Sequence, residues 1–281
     1  MRTIRYVVCD VFTDRPLAGN QLAVFTDARG LETELMQALA CEMGFAESTF
    51  VLPAAAGGHA RMRIFTPKVE MPFAGHPTLG TAFVVGEATQ LREVVLETGA
   101  GLVPVRLERE GARVVFGWMT QPTIRIVPFA REEELRAALG VGRSELPVEC
   151  YDNGMTHVYV TLPSRDAVAA VRPDLGRLAA LAAGGVNVFA GEGDSWKTRM
   201  FAPAAGVAED AATGSAAGPL AWHLVRHGRV AAGQTIRIEQ GAEIGRPSVL
   251  YARAGGTIDA PVIEVGGSAV TVARGEFRLH G

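Results

Sequence analysis

Three side chains of this 281-residue chain stand where proton chemistry could be done, and each also admits a plainer reading. His76 lies in Phe73-Ala74-Gly75-His76-Pro77-Thr78-Leu79-Gly80, which reads as a tight turn feeding the first turn of a helix. Gly75 permits a close backbone approach, and Pro77 suits a first helical position, where an N–H would be unpaired anyway. Burial and the positive end of the helix dipole disfavour an imidazolium there. His76 is then a neutral group with one hydrogen bond to offer a ligand, or a core histidine bonded to a backbone carbonyl. Asp210, in Glu209-Asp210-Ala211-Ala212-Thr213-Gly214-Ser215, leads into a second glycine-led helix. Adjacent carboxylates in extended chain point opposite ways, so only one of Glu209 and Asp210 can enter a site. Thr213 or Ser215 can cap that helix, and an acid just before a helix start serves as cap or dipole partner as readily as catalyst. Glu47, leading into Ser48-Thr49-Phe50-Val51-Leu52, reads by itself as a solvated edge residue.

The elements that must position these groups recur. Arg63-Ile64-Phe65-Thr66-Pro67 precedes Gly75 and a helix that is apolar nearly all round, as an enclosed helix would be. Arg199-Met200-Phe201-Ala202-Pro203, 136 positions later, precedes Gly214 and Ser215-Ala216-Ala217-Gly218-Pro219-Leu220-Ala221-Trp222. The chain therefore reads as two copies of one module, and two helix N-termini with free N–H groups would make an anion site if they faced each other. Between these landmarks, short β-rich runs broken by glycine and proline outnumber helical patterns, which include Leu31 to Met43, a polar helix from Arg131 to Leu139, and Pro173 to Ala183. This is a strand-rich α+β chain without regular βαβ alternation, divided at 125/126 into residues 1–125 and 126–281, with a last strand able to pack back on the first domain.

Charge is balanced, 27 basic against 30 acidic residues without a run of either sign, which points to neither nucleic acid nor an anionic membrane surface and favours a small ligand. Cys9, Cys41 and Cys150 are odd in number and far apart, suited to neither a disulfide framework nor a zinc site. His223 and His227 have metal-compatible spacing, but no third ligand is evident in sequence, and they read as a solvated helix end. Gly191-Glu192-Gly193 reads as a turn. No signal-peptide pattern and no apolar stretch of about 18 residues occurs, so a cytoplasmic soluble protein is expected.

Taken together, these stretches resemble the PhzF-like family of phenazine-biosynthesis isomerases. The resemblance is carried by Asp10-Val11-Phe12-Thr13, Gly19-Asn20, Ala46 to Leu52, Arg63 to Pro67, Pro72 to Pro77, Gln121-Pro122, Asn153-Gly154, Glu209 to Leu220 and Gly245 to Ser248, in both halves of the chain. It implies a diaminopimelate-epimerase-like fold: two pseudo-symmetric domains, each a β-sheet rolled around a central helix, with the active site between them and a homodimeric assembly. The family's catalytic glutamate, histidine and aspartate fall on Glu47, His76 and Asp210, and its ligand-contacting glycine and serine on Gly75 and Ser215. Gly214, opening the second helix, joins them as a substrate-binding position. The implied reaction isomerises trans-2,3-dihydro-3-hydroxyanthranilate to an amino-ketone on the way to phenazines, with no metal or organic cofactor.

Racemases of this architecture use two cysteines, one ahead of each helix, but this chain has Ala74 and Ala211 there. One carboxylate base suits a proton shift along a single ring face instead. Two rivals stand beside this reading: a PhzF-like isomerase of another small amino or hydroxy acid, and a non-catalytic binder of small carboxylates. The three polar groups together disfavour the binder, because holding a carboxylate needs no further acids.

Overall fold

The computed structural model describes residues 2–181, 184–257 and 260–279. The chain forms two compact units, residues 1–120 with 266–281 and residues 121–265, so the division falls at 120/121 and the C-terminal strand belongs with the first unit. The first contains β1 (Arg2–Val11), β2 (Asn20–Phe25), α1 (Thr33–Met43), β3 (Glu47–Leu52), β4 (Ala60–Phe65), β5 (Glu70–Met71), α2 (Gly75–Thr89), β6 (Glu93–Thr98), β7 (Gly101–Glu110) and β8 (Arg113–Thr120). In the second are β9 (Arg125–Val127), α3 (Glu132–Leu139), β10 (Glu149–Asp152), β11 (Thr156–Thr161), α4 (Arg165–Ala170), α5 (Leu175–Leu181), β12 (Gly185–Glu192), β13 (Ser195–Ala202), β14 (Val207–Asp210), α6 (Gly214–Arg226), β15 (Ile236–Gln240) and β16 (Ser248–Gly256). The chain then runs through β17 (Pro261–Gly267) into β18 (Ala269–Leu279).

Each unit arranges its strands alike. The first pairs β18, β1, β2, β3, β4, β6, β7 and β8 in that order, with β2/β3 and β4/β6 parallel. The second pairs β9, β10, β11, β12, β13, β15 and β16, with β11/β12 and β13/β15 parallel. Parallel neighbours need long crossovers, and in each unit the second crossover is the central helix. Helix α2 is buried without a break from Gly75 to Phe83 and packs on β1, β2, β3, β6, β7, β8 and β18. Helix α6 is buried without a break from Gly214 to Leu224 and packs on β11 and β16. Their all-round apolar sequences follow from that enclosure.

The repeated arginine motif keeps one geometry in both copies. Arg63 donates twice to Glu70, at 2.7 and 2.6 Å, with its Cζ 5.1 Å from the Phe65 ring centre. Arg199 donates twice to Glu209, both at 2.8 Å, with its Cζ 5.0 Å from the Phe201 ring centre. Register extends the equivalence: Ile64 lies opposite Met71 on β4/β5, and Met200 opposite Asp210 on β13/β14. Asp210 therefore occupies the place that Met71 fills in the first unit.

Several local expectations shift. Pro77 is the third residue of α2, still within the first turn where no N–H is required. Helix α1 begins at Thr33 and buries Met36, Leu39 and Ala40, while Leu35 and Met43 are partly covered. Helix α5 spans Leu175–Leu181, and residues 182 and 183 of the helix expected over 173–183 lie outside the described residues. Strands β9, β10 and β14, of four residues or fewer, escape the sequence pattern because alternation needs more length to register. Among the described residues no helix is long and apolar enough to cross a membrane.

Candidate active site

In the first unit, the site is built from the end of β1 inward. Buried Asp10 accepts the Leu17 N–H at 2.7 Å, anchoring the loop between β1 and β2. At Gly19 the backbone turns left-handed (φ 68°), and a Cβ would meet the Val11 carbonyl oxygen at 2.4 Å, so only glycine fits. The turn delivers Asn20, whose Nδ2 lies 3.2 Å from His76 Nδ1. The other ring nitrogen, Nε2, lies 3.4 Å from Glu47 Oε2. Glu47 opens β3 between two neighbouring strands, with its side chain 15% exposed, so it is not the solvated edge residue its sequence position suggests. His76 is the second residue of α2, whose N-cap Ala74 offers no side-chain acceptor. A neutral imidazole thus touches a carboxylate at an uncapped helix start.

In the second unit, Glu209 and Asp210 take different partners. Glu209 is held by buried Arg199, whereas Asp210 Oδ2 accepts the Thr213 hydroxyl at 2.6 Å. Gln240 fixes the turn: its Nε2 reaches the Asp210 carbonyl and Thr213 Oγ1, both at 2.9 Å, and its Oε1 accepts the Thr213 N–H. Because the amide occupies the hydroxyl oxygen, the single Thr213 hydroxyl hydrogen is left for Asp210. Thr213 is the N-cap by position, but it makes no side-chain capping bond, and Ser215 does not cap either. Ser215 Oγ instead lies 3.0 Å from His157 Nε2.

Pro219 inside α6 has no N–H for the Ser215 carbonyl one turn back. Asn153 Nδ2 bonds that carbonyl instead, at 2.9 Å. Gln121 Nε2 bonds the Gly214 carbonyl at 2.7 Å, and Gly218 makes room, since a Cβ there would sit 2.0 Å from Gln121 Oε1. The first turn of α6 is thus braced from outside the helix. Asn20, Gln121 and Asn153 sit in segments that carry the family resemblance, but their roles were not legible there. Neither His157 nor Gln240 had any sequence signal.

His223 and His227 prove not to form a solvated helix end. His223 is fully buried, and both imidazoles lie 3.1 Å from Glu149 Oε2, which also receives Arg226 at 2.6 Å and the Tyr151 hydroxyl. Glu149, His223 and His227 have ligand atoms close enough together for a metal. However, the Arg226 guanidinium already supplies the positive charge that Glu149 needs. Burial pushes the Glu149 carboxyl up, but bonds from His223, Tyr151 and His227 and the Arg226 charge outweigh it and hold it well below the usual range. Cys9, Cys41 and Cys150 lie in β1, α1 and β10, and burial lifts the Cys9 thiol to about 12, so it supplies no thiolate near neutrality.

Burial holds His76 neutral, lowering its pKa from 6.5 to about 3 against a backbone hydrogen bond to Gln21. Burial likewise lowers His157 to about 4, with the Asp152 charge opposing. Below pH 6.5 the unfolded chain binds protons at both sites that the folded chain refuses, so stability rises with pH from about 4 to 6.5. Each histidine adds a slope of up to about 1.4 kcal/mol per pH unit. Urea unfolding across that window should show a shallower rise for His157→Gln than for the parent; equal slopes would mean that His157 is charged when folded.

A family model described as phenazine biosynthesis-like protein, PhzC-PhzF, matches residues 9–275. The trans-2,3-dihydro-3-hydroxyanthranilate isomerase of Pseudomonas aeruginosa is 51% identical over 276 residues, covering 98% of this chain and 99% of that protein. Among solved structures, a Bacillus anthracis phenazine biosynthesis protein of the PhzF family superposes with a TM-score of 0.86 at 27% identity, covering 99% of this chain and all of that one. A predicted epimerase from Pseudomonas aeruginosa superposes with a TM-score of 0.83 at 32% identity, with coverage of 99% and 100%. These likenesses place the two-unit fold among the epimerase-like folds.

Proposed function

The chain belongs to the phenazine biosynthesis-like PhzC-PhzF family, and from that premise we propose that it isomerises trans-2,3-dihydro-3-hydroxyanthranilate to an amino-ketone, by a cofactor-free proton shift from C3 to C1. The observation that carries this reading is the near-full-length likeness to the Pseudomonas isomerase. Removing the C3 proton spreads negative charge through the conjugated ring system to the carboxylate, and returning a proton at C1 gives an enol that tautomerises to the ketone. One base on one ring face serves both steps.

Glu47 is that base in this reading, with His76 Nε2 beside its Oε2 to hold or pass a proton. Asp210, oriented by the Thr213 hydroxyl, is the acid of this reading that engages a hydroxyl or ammonium group. Gly75, Gly214 and Ser215 bind the carboxylate, and their preorganised donors stabilise the developing charge by on the order of 3 kcal/mol each. The enzyme acts as a cytoplasmic homodimer on this small carboxylate.

Incubating the purified protein with the dihydro-hydroxyanthranilate in deuterated water tests the reading. Loss of the diene absorbance with deuterium appearing at C1 is expected. Unchanged substrate with folded protein would turn the assignment to another small amino or hydroxy acid.

A further inference from the structure

We propose that His157 is a positioning residue that turns the Ser215 hydroxyl into a fixed hydrogen-bond donor towards an anionic group of the substrate. This rests on the reading above in one respect, that Ser215 faces the substrate. The two units suggest the role by their parallel construction. The second residue of each central helix is gripped by a polar side chain from the strand that follows the first hairpin turn of its unit: His76 by Asn20 on β2, and Ser215 by His157 on β11.

Which atom donates follows from the surroundings of His157. The ring is buried, 1% exposed, and its Nδ1 has no hydrogen-bond partner among the described residues. That nitrogen rests against Gly185, where even an added Cβ would come within 2.6 Å of it, with the Met200 sulfur nearby. A proton on Nδ1 would be a buried N–H without an acceptor, which costs more than a buried lone pair there. The proton therefore belongs on Nε2, which donates to Ser215 Oγ across 3.0 Å. With one lone pair of its oxygen taken by His157, Ser215 has its hydrogen free to turn the other way, and no described residue accepts it. Asn153 holds the Ser215 carbonyl, so the side chain hangs from a fixed backbone. A hydroxyl whose hydrogen is turned away from His157 favours a carboxylate, which only accepts, over a carboxamide turned to present its N–H.

The experiment measures binding of 3-hydroxyanthranilate and of its carboxamide to the full chain by calorimetric titration, in the parent, Ser215→Ala, His157→Phe, His157→Gln and the Ser215→Ala/His157→Phe double variant. His157→Phe should weaken the carboxylate about tenfold and leave the carboxamide nearly unchanged, His157→Gln should recover part of the loss through its own N–H, and the double variant should bind no worse than Ser215→Ala alone. Saturating turnover of His157→Phe should stay within about threefold of the parent, so that the defect lies in KM. Carboxylate binding unchanged in a folded His157→Phe, or a full further loss in the double variant, would overturn the positioning role while leaving Ser215 in place. Unchanged binding in Ser215→Ala would overturn both this role and the assignment of Ser215 to the substrate. Because the readout is binding, it holds even if the protein turns over a different acid.

Discussion

Glu47→Gln is expected to lose about a thousandfold in kcat while binding the carboxylate analogue almost as tightly as the parent, the pattern left when a group that acts only in the transition state is removed. Glutamine keeps the size of the side chain and can still hydrogen-bond near His76 Nε2, 3.4 Å from Glu47 Oε2 in the parent, so the fold should persist. What it lacks is a site for a carbon-bound proton. The measurement is single-turnover kinetics with the dihydro-hydroxyanthranilate, alongside calorimetric titration of 3-hydroxyanthranilate. Near-normal turnover would remove Glu47 as the base and move the search to Asp210, the other acid of the proposed site.

The largest stability loss is expected at Arg199 and not at its repeat partner Arg63, although the two make the same bidentate pair. Arg199 and Glu209 have side chains only 5% and 11% exposed, and Arg199 Nη1 also donates to the carbonyls of Val168, Ala169 and Val171 where α4 ends. Arg199→Met strands a buried carboxylate and frees those carbonyls, which should cost about 3–5 kcal/mol. Arg63 and Glu70 are 17% and 40% exposed, so water can solvate Glu70 when its partner goes, and Arg63→Met should cost about 1 kcal/mol. Chemical unfolding of both variants separates the cases; equal losses would mean that burial does not set the worth of this repeated pair. The Arg199 variant should also lower activity, since Glu209 adjoins Asp210.

Features that depend on neighbours along the chain were legible in the sequence. Apolar residues nearly all round from Leu79 to Val85 required an enclosed helix, Gly75 and Gly214 marked two helix starts, and the repeated Arg-x-Phe-x-Pro strands announced two like units. The family resemblance supplied Glu47, His76 and Asp210 as candidates, yet their local sequences left each with a plainer alternative. Which partners these groups take was left to the tertiary structure, because those partners are remote in sequence and meet only through strand register. Arg199 claims Glu209 and leaves Asp210 to Thr213, a choice that two adjacent acids cannot reveal. Parallel pairing of β2 with β3 sets Glu47 beside Leu22, two residues after Asn20, and the α2 crossover brings His76 to both. Asn153 was invisible as a brace because its need arises at Pro219, where a missing N–H strands the Ser215 carbonyl. His223 and His227 looked solvated because a helical i, i+4 pair says nothing of the strand opposite, and Glu149 on β10 reaches them only after a connection of about seventy residues is folded. Periodicity reports which face of an element is buried; it carries no record of what is buried against it, and the chemistry of this site lies in those pairings.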